Sequence, residues 1–331
     1  MKKFIAVILA LILVVSPLYV NVQVNTVSAE NILDKIELTE DQKMFRDRFV
    51  NRLIEFVNYF LIAIRYPWKA KGDNRVDMSK FTLTFAEDFD AKKLNRSLWW
   101  NYHEGRRKGG YWDKSQSFIK DGNLIIRAEY KEEGEYGAGY YCDRVLTRGK
   151  FEQTYGYFEC RCILPAAKGL WSAFWLSTEN VDDFVPGTEG TEIDVFESPF
   201  FYRGEKGKEN GLITCNLHYG GYELGHRYKN VNIVRVPDPY VNYNTYGLEW
   251  NEKEYIFYIN GIETGRSSFG GVSRVPEFLE LSVEIDGARG EPYQGWSGII
   301  TDNDPDVLPA DFIVDYVHVY QYNDILNTEA E

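Results

Sequence analysis

The chain is poor in metal-binding and redox side chains, with four Cys and four His among 331 residues. No pair of C-x-x-C motifs occurs, so the spacing of a zinc site is missing and no zinc chemistry is expected. Basic residues are outnumbered, 37 Lys and Arg against 50 Asp and Glu, for a formal net charge of −13. Such a field repels phosphate backbones and anionic lipid, which argues against nucleic acid or acidic membrane surfaces as partners. It suits a neutral substrate better than a polyanionic one, although a local basic cleft can override the average. Long apolar runs are equally scarce. The one at Phe4 to Val15 falls short of the roughly 20 residues that span a bilayer. No internal repeat is evident, and no long helical period follows residue 81.

That short apolar run has another use. Lys2-Lys3 precede it and Val27-Ser28-Ala29 offer a small-residue cleavage site, so residues 1–29 read as a secretory signal. Its removal takes the net charge from −13 to −15. No Cys stands at the cleavage point and Leu326 to Glu331 are polar, so no lipid or stable membrane anchor is expected. The expected localisation is extracellular. Residues 30–79 read as a helical extension and linker. Thr39 and Gln42 form a capping pair, and Phe45, Phe49, Leu53, Phe56, Phe60 and Ile64 trace one apolar face until Pro67. This helix is expected to pack on the domain that follows. Pairing with another protein or lying on a surface are the alternatives.

From Phe81 the chain changes character. Short runs of branched and aromatic residues, such as Leu124-Ile-Ile-Arg-Ala128 and Tyr255-Ile-Phe-Tyr-Ile259, alternate with Gly, Asn and Asp turns. Asn260-Gly261 is a strong hairpin signal. Many short strands over residues 80–324 predict an all-β, two-sheet sandwich, with residues 325–331 a polar tail. Aromatic residues are plentiful, 16% of the chain with 24 Tyr and 8 Trp, and such rings both fill cores and stack on sugars. Cys160 and Cys162, two apart on one face of a strand, sit at the edge of the geometry a disulfide allows and are not expected to bridge each other. Either can bridge Cys142 or Cys215, or all four can serve as small buried hydrophobes.

The segment that carries chemistry is Glu192-Ile-Asp-Val-Phe-Glu197, three carboxylates in six residues with apolar neighbours between them. On a strand, Glu192 and Asp194 share a face, and Glu197 has the wrong parity to join them. One extra residue, a β-bulge at Val195-Phe196, restores it. Crowded carboxylates repel, which is poor structural design but is what a retaining glycosidase needs: a nucleophile, and an acid kept protonated by neighbouring charge. A solvated acidic strand is the plainer reading, and the interleaved Ile193, Val195 and Phe196 argue against it.

The pattern resembles the E-x-D-x-x-E signature of glycoside hydrolase family 16, in the bulged form of laminarinase-like and endo-β-galactosidase-like members. Further segments resemble the family in order. They are Phe85-Ala-Glu-Asp-Phe-Asp90, Asp121-Gly-Asn-Leu124, Tyr155-Gly-Tyr-Phe-Glu-Cys-Arg161, Gly169-Leu-Trp-Ser-Ala-Phe-Trp175, Leu217-His-Tyr-Gly-Gly221, Tyr246-Gly-Leu-Glu-Trp250 and Val314-Asp-Tyr-Val-His-Val-Tyr320. The resemblance implies an antiparallel β-jelly roll of the concanavalin A type, with a cleft on one sheet. It implies Glu192 as nucleophile, Glu197 as acid and then base, Asp194 as the tuning carboxylate between them, and no cofactor for catalysis. Trp171 and Trp175, four apart, are expected to build a sugar platform. His218 and Asn216 on a neighbouring strand are expected to bind sugar hydroxyls. Trp112 and Trp296, in Gly-rich loops, are expected at outer subsites. A structural calcium ion is implied at Glu87, Asp315 and the Gly122 carbonyl.

The expected activity is endo-hydrolysis of a polysaccharide, β-1,3-glucan first and galactans or host glycans second. Pro186-Gly-Thr-Glu-Gly-Thr191 and Ser198-Pro199 depart from usual laminarinase wording at the cleft edges, which puts the substrate in question more than the chemistry. A transglycosylase would use the same carboxylates. A non-catalytic carbohydrate-binding sandwich is the rival of another class, and the intact trio of acids speaks against it.

Overall fold

The structure, a computed structural model, describes residues 74–101, 104–199, 211–300 and 307–329. The expected signal segment, the helical period of residues 38–66 and the linker up to residue 73 lie outside the described residues. Within them the chain is all-β, with two large sheets, three short 3₁₀ turns and one short helix, Asn323–Glu329. No described helix is long and apolar enough to cross a membrane.

The larger sheet runs, edge to edge, Ile262–Ser267, Tyr255–Ile259, Asn244–Trp250, Gly156–Ile163, Ala310–Tyr322, Asn123–Gly134, Gly137–Cys142, Gly110–Trp112 and Gly105–Arg107. Phe81–Glu87 pairs with the far half of Ala310–Tyr322, Phe81 opposite Tyr322, so the first and last strands of the domain are neighbours. The Tyr255–Ile259 hairpin turns at Asn260 and Gly261, whose φ of 51° and 72° are those the Asn-Gly pair tolerates. Pairing is antiparallel throughout except between Gly110–Trp112 and Gly137–Cys142.

The second sheet runs Arg227–Arg235, Leu212–Tyr219, Glu192–Glu197, Leu170–Ser177, Glu277–Ile285 and Arg144–Leu146. Leu170–Ser177 shows the two faces of this sheet. Leu170, Phe174 and Leu176 are buried against the larger sheet, while Trp171, Ala173 and Trp175 have the opposite parity. Facing rings close the core: Phe196 meets Tyr246 at 4.2 Å and Phe312 at 6.1 Å between centroids. The four cysteines are buried free thiols, so of the two readings the small-hydrophobe one describes the structure.

Candidate active site

Register across the second sheet sets the site. Glu192 lies opposite His218, and Asp194 lies opposite Asn216 on one side and Trp175 on the other. Glu197 lies opposite Thr214 and Ala173. From Asp194 to Glu197 the acidic strand spends three residues where each neighbour spends two. This is the expected bulge at Val195-Phe196, and it returns Glu197 to the face of Glu192 and Asp194. A bulge strands a backbone carbonyl, and here the Cys215 thiol reaches the Val195 carbonyl oxygen at 3.2 Å. The same parity brings Glu280 onto this face, opposite Trp175.

These acids sit in an unfavourable electrostatic setting. Asp194 is 3% exposed, and beyond His218 Nε2 at 3.4 Å its Oδ2 has no hydrogen-bond partner. Burial, then Glu192 and Glu280, pushes its carboxyl well above the usual range. Glu197 is pushed up too, by burial and then by Asp194, and the Asn216 amide pulls against that by donating to Oε2 at 2.6 Å. Glu280, buried and held by Arg144 at 2.7 Å, is raised to about 7, burial being the main cause. A carboxyl that holds its proton more tightly than usual therefore stands at Glu197, on the same face as Glu192. One ligating atom each from Glu192, Asp194 and His218 lie within 4.8 Å of one another, the one such trio among the described residues. Proton sharing between crowded acids accounts for that spacing without an ion.

Trp175 stands half-buried beside the acids, its indole N–H donating to Ser282 Oγ at 3.1 Å. Trp171 lies two steps further along the same face. Lys108 Nζ sits 4.9 Å from its ring, and half-exposed Trp296 meets it edge-on at 5.5 Å. Trp171, expected in the sugar platform, is itself buried at 9% exposure, so the open rings at this end of the acidic strand are Trp175 and Trp296. At the other end His218, His226 and Tyr228 stack, with His218 Nδ1 2.9 Å from His226 Nε2 and the two rings 6° from parallel.

Three further expectations change. Trp112 is not at an outer subsite: it is 3% exposed, donates its indole N–H to the Val283 carbonyl, and has the Arg107 and Arg144 guanidinium groups 4.5 and 4.6 Å from its ring centre. The glycines before it mark close backbone approach rather than an open loop, since a Cβ at Gly109 would sit 2.3 Å from the Asp286 carbonyl oxygen. Asn216 is buried, and its amide is committed to Glu197 and Asn230 rather than offered to a sugar. The calcium set does not fit either. Asp315 is ion-paired with Arg161, a cation already on its carboxylate, and Glu87 accepts from the Phe89 amide at 3.0 Å.

Sequence reasoning missed Tyr222, His226, Tyr228 and Glu280. Glu280 was readable, because Glu280, Ser282 and Glu284 alternate with Leu281 and Val283 as Glu192 and Asp194 do with Ile193. Tyr222 reaches Glu192 only through the loop after Gly220-Gly221, and no periodicity reports that.

A family model described as Glycosyl hydrolases family 16 matches residues 106–270, which hold all three acids of the central strand. The chain is similar to the endo-1,3-1,4-beta-glycanase EglC of Rhizobium meliloti (strain 1021), 26% identical over 271 residues, covering 74% of this chain and 53% of that one. It is also similar to a beta-glucanase of Rhodothermus marinus, 25% identical over 284 residues, covering 80% of this chain and 93% of the relative. Among solved structures it resembles the laminarinase catalytic domain of Thermotoga maritima MSB8, at 26% identity and a TM-score of 0.58, over 73% of this chain and 98% of that one.

Proposed function

The chain belongs to glycosyl hydrolases family 16, and on that footing we propose that it is a secreted endo-acting hydrolase of β-1,3-linked glucan, mixed-linkage glucan included, working with retention of configuration. The observation that carries the reading is the bulge, which sets a buried, proton-holding Glu197 on one face with Glu192. Glu192 attacks the anomeric carbon as the bond to the departing oxygen breaks, and Glu197 gives that oxygen its proton. Glu197 then takes a proton from water, whose oxygen displaces Glu192. Asp194 holds a proton against Glu192 and keeps two like charges from standing side by side. Trp175 beside the acids, and Trp296 further out, offer ring faces and edges to the sugar chain.

The substrate follows from charge and from kinship. The chain is strongly acidic, which favours a neutral polymer, and the relatives named above are an endo-1,3-1,4-beta-glycanase, a beta-glucanase and a laminarinase. In this reading the two sheets form the jelly roll of the family and the leader exports the chain. Incubation with laminarin, lichenan, agar, carrageenan and keratan-type glycans tests it. Short β-glucan oligomers are expected from the first two. Release from the galactans alone would replace glucan by galactan as substrate, and release from none would overturn the enzyme reading.

A further inference from the structure

Glu192 has a partner that the carboxylate machinery does not require. The hydroxyl of Tyr222 donates to Glu192 Oε2, from a ring that is 48% exposed at the cleft. The loop is built to aim it. Gly220 and Gly221 take φ of 79° and 73°, and a Cβ at either would meet a carbonyl oxygen, that of Gly225 at 2.7 Å or of Asp182 at 2.8 Å. His226 N–H donates to the Glu223 carbonyl and closes the turn, and Phe184 fills the space beside Gly225. The His226 ring packs against Tyr222 at 5.9 Å. Burial and the adjoining Glu192 push the phenol far above its usual range, so it stays a donor at any working pH.

We infer that Tyr222 is a further catalytic residue, whose hydroxyl stabilises Glu192 as the carboxylate departing from the glycosyl-enzyme. The inference rests on the proposed double displacement. Tyr222 holds Oε2, which leaves Oε1 to form the bond to carbon. In the first step an Oε1 lone pair makes the C1–O bond, the glycosidic C–O bond breaks, and the leaving oxygen takes the Glu197 proton. Esterified Glu192 carries no charge, so the phenol then donates to a weaker acceptor. In the second step water oxygen bonds to C1 and passes a proton to Glu197, and the C1–Oε1 pair returns to Glu192. Charge reappears on the carboxylate, and the Tyr222 hydrogen bond strengthens as it does. The bond is strong in free enzyme, partial at both transition states and weak in the ester. Its loss therefore slows release of the intermediate without slowing its formation.

Stopped-flow assay of Tyr222→Phe with a nitrophenyl β-1,3-diglucoside tests this, because the reactive leaving group makes the first step fast. The expected result is a nitrophenol burst equal to the enzyme concentration, then a steady rate about 10-fold below wild type. KM falls along with kcat, kcat/KM is not reduced, and mass spectrometry of the quenched protein finds the sugar on Glu192. Unchanged constants, or a lower kcat/KM without a burst, would overturn the inference. Thermal melts of the variant check folding, and the exposed ring makes a loss of fold unexpected. A wild-type enzyme inert on every glycoside would sink the double-displacement reading along with this one. An active wild type with an indifferent variant sinks this one alone.

Discussion

Deleting Val195 should leave an active enzyme, whereas inserting one alanine between Val195 and Phe196 should destroy activity. The reasoning is register. Between Asp194 and Glu197 the strand spends three residues against two on each neighbour, Asn216 to Thr214 on one side and Trp175 to Ala173 on the other. Deletion makes the count equal, so Glu197 still faces Thr214 and Ala173 and keeps its side with Glu192 and Asp194. Phe196, which pairs with Phe174, still points to the core. The cost is one Val side chain, 1% exposed, worth about 1.5–3 kcal/mol on burial, and the carbonyl that the Cys215 thiol meets. For a domain this large that lowers the melting temperature by about 3–12 °C. Insertion instead makes four residues from Asp194 to Glu197, so Glu197 keeps its face but is carried two positions past Thr214 and Ala173, roughly 7 Å further from the bond that Glu192 attacks. Reducing-end assays on laminarin, with circular dichroism to confirm folding, decide the matter. Deletion is expected to keep activity within about tenfold of wild type, since misplacement of a catalytic group by 1 Å costs roughly a hundredfold. A folded but inert deletion, or an active insertion, would refute the register argument.

Glu192→Gln and Glu197→Gln should each fold normally and lose at least about 10²-fold in kcat, read by reducing-end release, because the amide keeps volume while removing charge or proton. Asn216→Ala removes the donor that favours the charged form of Glu197. The basic limb of its kcat/KM profile should therefore move up by about 1–2 pH units, the equivalent of one hydrogen bond to a charged group. Fully buried Glu277 is raised from 4.5 to about 8, chiefly by burial, so the folded chain holds a proton there that the unfolded chain releases above 4.5. Its contribution is complete below pH 4.5 and is lost as pH rises through about 8, a change on the order of 5 kcal/mol. Urea melts of Glu277→Gln across pH 5–9 should show a correspondingly flatter loss of stability than wild type.

What could be read from the sequence depended on which residues a strand's own periodicity reports. The acidic strand announced both its faces and its bulge, because Ile193 and Phe196 fix which side is core and the spacing of the acids then demands one extra residue. Asn260-Gly261 announced its hairpin for the same local reason. Trp112 misled because Gly109 and Gly110 look alike whether glycine frees a loop or lets two backbones close to within contact. Asn216 was placed on the right face, but its chemistry depends on Asn230 and Glu197 from other strands. Calcium failed at Asp315 because Arg161, from a strand 154 residues away in sequence, takes the carboxylate first. The error in each case is a tertiary partner that no window of sequence contains.

The site's electrostatics argue for chemistry over structure more strongly than any single residue does. Asp194, Glu197 and Glu280 are each pushed up by burial, and each stands near another acid. A sheet that needed only stability would place apolar side chains there, since buried charges are at best compensated by their partners. Arg144 compensates Glu280, and Asn216 partly compensates Glu197, but Asp194 keeps an oxygen with no hydrogen bond at all. That leftover is what a proton-sharing group beside a nucleophile looks like before substrate arrives. A neutral sugar chain laid over this face displaces water from it, and every charge interaction there grows as the local dielectric falls. In the proposed mechanism this crowding keeps the proton on Glu197 in the resting enzyme, and the charge that Glu192 loses on bonding to carbon loosens that hold as the departing oxygen takes the proton.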